Sequence, residues 1–151
     1  MATRSSINSF DGTTLKSIYC HWDGYPSHHA PIMLEHINTP TKVNKLISLG
    51  NVSSLREKIT TRKNHSFDAP QKDTTIFYGR DRGDSNQQAT KTTIFAVGED
   101  GYPTLESLPI AQAFQYLFDL EFHYLYDLNT KEWYVMAGNK WERLTKEHYN
   151  D

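Results

Sequence analysis

The stretch Ile18-Tyr19-Cys20-His21-Trp22-Asp23-Gly24-Tyr25-Pro26 sets a thiol, an imidazole, an indole, a carboxylate and two phenols side by side. Side chains alternate between faces along an extended strand. Ile18, Cys20 and Trp22 therefore share an apolar face, and Tyr19, His21 and Asp23 share a polar face that can titrate. A strand that only fills a core does not need the second set. A carboxylate beside an imidazole raises its pKa and orients the ring. His21 and Asp23 would then act as a general base or as a polar cluster for a ligand. The structural alternative has Asp23 capping the turn through Gly24 and His21 bonded to a neighbouring strand. Cys20 is a nucleophile only if it is exposed beside a base. Its apolar neighbours predict a buried thiol instead.

A second set lies at Tyr78-Gly79-Arg80-Asp81-Arg82-Gly83-Asp84. If the strand before it continues, Arg80 and Arg82 share a face. Two guanidiniums on one face receive a phosphate or a carboxylate well, and the flanking glycines let backbone approach a ligand. The bland alternative is a hairpin end in which Asp81 and Asp84 neutralise the arginines. His65 sits in a loop as His65-Ser66-Phe67-Asp68. No C-x-x-C or H-E-x-x-H spacing occurs among Cys20, His21, Asp23, His28, His29, His36 and His65, so no metal site is expected. His28 and His29 read as a solvated helix start, and His36 as a surface residue near a helix C-terminus.

These groups need elements to hold them. Residues 3–9 and 13–22 read as a hairpin around Asp11-Gly12. A helix is expected over about 28–37, with Ser27 as its cap. A second is expected over about 40–49, with Thr39 as cap, Pro40 at its first position and Gly50 at its end. Val43, Leu46 and Ile47 form its buried stripe. Residues 53–57 predict one helical turn and 60–72 a loop. Strands follow at 74–78 and 92–97, and a helix near 104–113. Phe114, Tyr116, Phe118, Phe122, Tyr124 and Tyr126 all fall on even positions, the period of a strand with an aromatic core face. Turns at 129–131 and 138–140 make the end of the chain a meander. The fold class is α+β: an antiparallel sheet of about six or seven strands with two or three short helices on one face, in a single domain over 1–151.

Bulk properties exclude several classes. The formal charge of −2, from 16 basic and 18 acidic residues, argues against non-specific nucleic-acid binding. Cys20 is the sole cysteine, so no intrachain disulfide forms and a reducing compartment is expected. The first residues lack the apolar run of a signal peptide, and no stretch approaches the roughly 20 apolar residues of a membrane span.

The opening Met1-Ala2-Thr3-Arg4-Ser5, the stretch 18–26, Leu46-Ile47-Ser48-Leu49-Gly50, Ser53-Ser54-Leu55, His65-Ser66-Phe67-Asp68 and Tyr78 to Gly83 carry a resemblance. In this order they are similar to segments of a family of small proteins from tailed bacteriophages, T4-like ones included. The resemblance covers about residues 1–84 and implies a setting rather than a mechanism: an accessory protein acting on the infected host, in its cytoplasm, including against its defences. The leading expectation is a binding protein with a polar and aromatic pocket from Tyr19, His21, Asp23, Tyr25, His65, Tyr78, Arg80 and Arg82. It would hold an anionic or nucleotide-like ligand, a phosphorylated small molecule, and needs no cofactor. The alternatives are an inhibitor that binds a host protein through an exposed aromatic patch, and a small hydrolase or phosphodiesterase using His21 or His65 as base. The reading leans away from an enzyme and leaves a homo-oligomer open.

Overall fold

A computed structural model describes residues 2–84, 90–93, 96–108 and 120–151, the strand at 90–93 by its backbone alone. The hairpin forms as β1 (Arg4–Phe10) and β2 (Thr14–Trp22). Asp11 Oδ1 accepts the Thr13 and Thr14 amides at 2.9 and 2.7 Å, and Gly12 takes a φ of 100°. That geometry is why an Asp-Gly pair turns the chain here.

Two helices follow. α1 spans Pro26–Glu35 and α2 Pro40–Ser48. α2 starts as expected, with Thr39 Oγ1 accepting the Lys42 amide at 3.3 Å. α1 starts two residues before its expected position, because Pro26, not Ser27, opens it. A proline at the first helical position has its φ preset and loses no bond. Tyr25 stands at the cap, and its side chain accepts no bond from the helix amides.

The remaining strands are β3 (Val52–Ser54), β4 (Ile76–Phe77), β5 (Thr90–Thr93), β6 (Leu120–Asp127), β7 (Glu132–Ala137) and β8 (Lys140–Arg143). Their order is β4-β3-β2-β1-β6-β7-β8, with β5 on β2. β5 pairs with Thr14–Ser17 and β3 with Cys20 and Trp22, so they divide between them the edge of β2 that β1 leaves free. The architecture is α+β, but the sheet is mixed rather than antiparallel. β1 runs parallel to β6, and β2 parallel to β3. A parallel neighbour needs a crossover, and α1 and α2 supply the one between β2 and β3. Periodicity reveals which residues are strands, not which way their partners run.

Several local expectations change. Residues 53–54 extend β3 where a helical turn was expected. The strand expected over 74–78 narrows to β4, and a π-helical turn over Tyr78–Arg82 replaces its continuation. A 3-10 turn covers Leu105–Ser107; the rest of the helix expected near 104–113 lies outside the described residues, as do Phe114, Tyr116 and Phe118. No described helix is long and apolar enough to cross a membrane.

The main core lies between the helices and one sheet face. Ile7, Ile18, Cys20, Tyr124, Tyr126 and Trp133 meet Ala30, Met33, Val43, Leu46 and Ile47 there. Each fully buried aliphatic side chain contributes about 1.5–3 kcal/mol. Trp133 donates its indole N–H to the Ile37 carbonyl at 2.7 Å and so ties the meander to the end of α1. Phe10, Leu15, Leu108 and Leu125 form a smaller cluster on the opposite face. Trp22 does not join the core on that face of β2: it is 44% exposed. His29 departs the other way, being fully buried rather than solvated.

Candidate functional site

On the sheet face away from the helices, β1 and β2 present Ser6, Asn8, Ser17, Tyr19 and His21. Tyr19 OH and His21 Nδ1 lie 2.7 Å apart. Burial pushes the Tyr19 phenol up to about 12, against the pull of Arg4. Burial and then Arg4 hold His21 below its ordinary value. The phenol therefore keeps its proton, and the ring beside it is held toward its neutral form. Deeper in the strip, Ser6 Oγ meets His123 Nδ1 at 2.7 Å, Asn8 Nδ2 donates to Ser6 Oγ at 2.9 Å, and Ser17 donates to Asn8 Oδ1. Burial lowers His123 to about 4.

The expected His21–Asp23 pair does not form. Asp23 adopts a φ of 56°, a left-handed conformation that Asp tolerates. The alternation of faces breaks there, and Asp23 Oδ1 accepts from Tyr25 OH at 3.1 Å. The turn is anchored beneath. The Gly24 amide donates to Thr3 O at 2.8 Å, and Tyr124 OH donates to Gly24 O at 2.6 Å. A Cβ at position 24 would stand 2.8 Å from both Ser5 Cβ and Thr3 O, so only glycine fits. Cys20 is fully buried and its thiol is pushed up to about 12 by that burial. It is no nucleophile.

Asp81 organises the third region. Its side chain is almost fully buried and accepts from the Phe77 amide at 2.8 Å and from Arg80 Nε and Nη2 at 2.8 and 3.0 Å. Arg80 also donates to the carbonyls of Ile59 at 2.7 Å and Thr75 at 3.0 Å. His65 Nδ1 accepts the Gln71 amide at 2.8 Å, which places the ring proton on Nε2. That proton faces Thr75 O at 3.1 Å, with Asp81 Oδ2 at 3.4 Å. Arg82 pairs with Asp84 instead, at 3.5 Å. Its guanidinium lies over the rings of Phe67 and Tyr78, at 5.1 and 5.9 Å from their centroids. The two arginines do not share a face because the π-helical turn replaces the strand that would have aligned them.

The eight expected site residues thus fall into four local sets: Tyr19 with His21, Asp23 with Tyr25, His65 with Arg80 through Asp81, and Tyr78 with Arg82. Of the eight, His65 and Arg80 line a described cavity. It measures about 310 Å³ and is completed by Thr60, Thr61, Lys63, Asn64 and Asp81. A neighbouring cavity of about 440 Å³ lies between α2 and residues 57–60. Its walls are His36, Thr41, Lys42, Lys45, Glu57, Lys58, Ile59 and Thr60. Thr60 belongs to both, so the two adjoin as a groove.

Five cations line this groove against two carboxylates, a surplus of three positive charges on a chain whose formal charge is −2. Asp81 is already held by Arg80. Lys42, Lys45, Lys58 and Lys63 are exposed, and their ammonium groups form no ion pair among the described residues. Sequence reasoning missed these four lysines. The available signals were Lys42 and Lys45, three apart on the polar side of α2, and the basic run from Arg56 to Lys63. Among the described residues no three His, Cys, Asp or Glu side chains come together to hold a metal ion. No protein-family model, curated protein or solved structure matches the chain, so what it does must be read from its own residues.

Proposed function

We propose that the chain is a binding protein for a small anionic ligand, held in the groove between α2 and residues 57–65. The observation that carries this is the set of four exposed, unpaired lysines around two adjoining cavities. One exposed ion pair is worth about 0–1 kcal/mol once water and salt have screened it. A single surface lysine therefore holds nothing, and several converging on one concavity hold an anion together. Cavities of this size are typical for small ligands.

The base expected at His65 is not available for turnover. A general base needs a free nitrogen within reach of substrate, and both nitrogens of His65 are engaged by Gln71 and Thr75. A phage accessory protein that sequesters a phosphorylated small molecule in the host cytoplasm fits such a groove. The test is calorimetric titration of pyrophosphate into the protein and into the double variant Lys45→Glu, Lys58→Glu. Binding is expected in the first and not in the second. Equal binding by both would remove the groove from consideration.

One observation favours a second reading, the inhibitor of a host protein. Trp22 and Tyr25 are 44% and 36% exposed on the turn that Thr3 and Tyr124 anchor. Rigid exposed aromatics are the usual anchors of protein interfaces. Under this reading Trp22→Ala abolishes capture of a host protein while the groove variant retains it.

A further inference from the structure

Resting on the groove reading above, we infer that the ligand is a non-aromatic molecule carrying two or more phosphate groups, one seated in each lobe of the groove. The lobes meet only at Thr60, and each carries its own unpaired cations: Lys42, Lys45 and Lys58 in one and Lys63 in the other, where Arg80 is already held by Asp81. A monoanion satisfies one lobe and leaves the other's charge unmatched. A ligand with separated anionic groups matches both, and the second contact then forms at high effective concentration.

No Phe, Tyr or Trp lines either lobe. A nucleobase is normally recognised by stacking on such rings, and the rings nearest in sequence, Phe67 and Tyr78, are already covered by the guanidinium of Arg82. The groove instead adds Thr41, Thr60, Thr61 and Asn64. Their hydroxyls and amide donate to phosphate oxygens or to the hydroxyls of a polyol. The groove therefore selects for phosphate number and spacing, and reads no base.

The experiment titrates the full chain with inorganic phosphate, pyrophosphate, tripolyphosphate, fructose 1,6-bisphosphate and ATP at one ionic strength. Tripolyphosphate is expected to bind more tightly than phosphate, and ATP no more tightly than tripolyphosphate. Fructose 1,6-bisphosphate matching or exceeding tripolyphosphate points to a polyol ester; the reverse points to an inorganic oligophosphate. Either order supports the class. Lys45→Gln and Lys63→Gln, one from each lobe, are each expected to weaken tripolyphosphate about tenfold, the loss of one charge-assisted hydrogen bond. Melting curves confirm that both variants are folded. ATP binding more than about tenfold tighter than tripolyphosphate would overturn the inference while leaving the groove as the site. So would a Lys63→Gln variant with unchanged affinity, which would confine the ligand to one lobe. Failure of every anion to bind would overturn the groove reading itself.

Discussion

The polar strip on the sheet and the basic groove beside α2 are both rich in groups that could do chemistry, yet they differ in where their partners are. In the strip, the partners are inside the protein. Ser6 meets His123, Asn8 meets Ser6 and Ser17, and Tyr19 meets His21. The next residue along β1 repeats the arrangement on the helix side, where Ser5 Oγ stands 3.2 Å from His29 Nε2. Two successive serines thus hold a buried histidine each, one joining β1 to β6 and the other joining it to α1. In the groove, four ammonium groups have no ionic partner among the described residues. Buried polar groups that satisfy one another specify the fold. Exposed like charges converging on a concavity raise the local potential and attract an opposite charge. Residue type alone does not separate the two cases; the location of the partner does.

The comparison breaks most visibly at Asp81, which borders the groove but belongs to the fold. Asp81→Ala leaves Arg80 without its carboxylate and frees the Phe77 amide. Removing one partner of a buried pair costs about 3–5 kcal/mol, and with Arg80 a quarter exposed about 2–3 kcal/mol is expected here. Urea denaturation measures it; a loss below about 0.5 kcal/mol would show that the lock does not organise residues 59–81.

Ser6→Ala comes next. It strands His123 Nδ1 in a buried site, and about 1–3 kcal/mol is expected to be lost. An unchanged denaturation midpoint would mean that the strip is not held by this bond.

The two serine-held histidines are also expected to respond to acid. His29 lies well below its ordinary value, because of burial first and then His28 and Arg56, and His123 lies at about 4 because of burial. The unfolded chain takes up protons near pH 6.5, before the folded chain does. Stability is therefore full above about pH 6.5 and falls as the pH drops toward 4. Denaturation midpoints at pH 7.5, 5.5 and 4.5 measure the slope. His123→Gln should flatten it, and an identical slope in that variant would remove His123 as a source.

The smallest effect on stability is expected in the groove. Lys45→Gln should change the unfolding free energy by no more than about 0.5 kcal/mol. A large loss would make Lys45 structural and erase the difference between the two regions.

Much of the frame was legible in the sequence. Asp11-Gly12 marked the β1–β2 hairpin, Thr39-Pro40 marked the start of α2, and the even-numbered Phe122, Tyr124 and Tyr126 marked the core face of β6. Directions of pairing were not legible, because a period of two is the same in parallel and antiparallel strands. Trp22 misled because alternation says which face a side chain takes, not whether anything covers that face. Arg80 and Arg82 misled because their alignment assumed a continuing strand. Asp81 accepts the Phe77 amide and supports a π-helical turn instead, a contact four residues apart that no hydrophobic pattern reports. The candidate pocket dissolved into local sets for the same reason. Close spacing brought residues together in pairs, while the groove was assembled from α2, the 57–65 segment and the π-helical turn, which only the fold brings together.

The most direct test is a titration of the ¹⁵N-labelled protein with tripolyphosphate, followed by amide chemical shifts. The account predicts saturable shifts at Lys42, Lys45, Lys58, Thr60 and Lys63, with Ser6, Tyr19, His21 and His123 unmoved. Shifts centred on Tyr19, His21 and His123 would contradict it and place the ligand on the sheet. Saturating tripolyphosphate without any shift would contradict the proposal that this groove binds an anion.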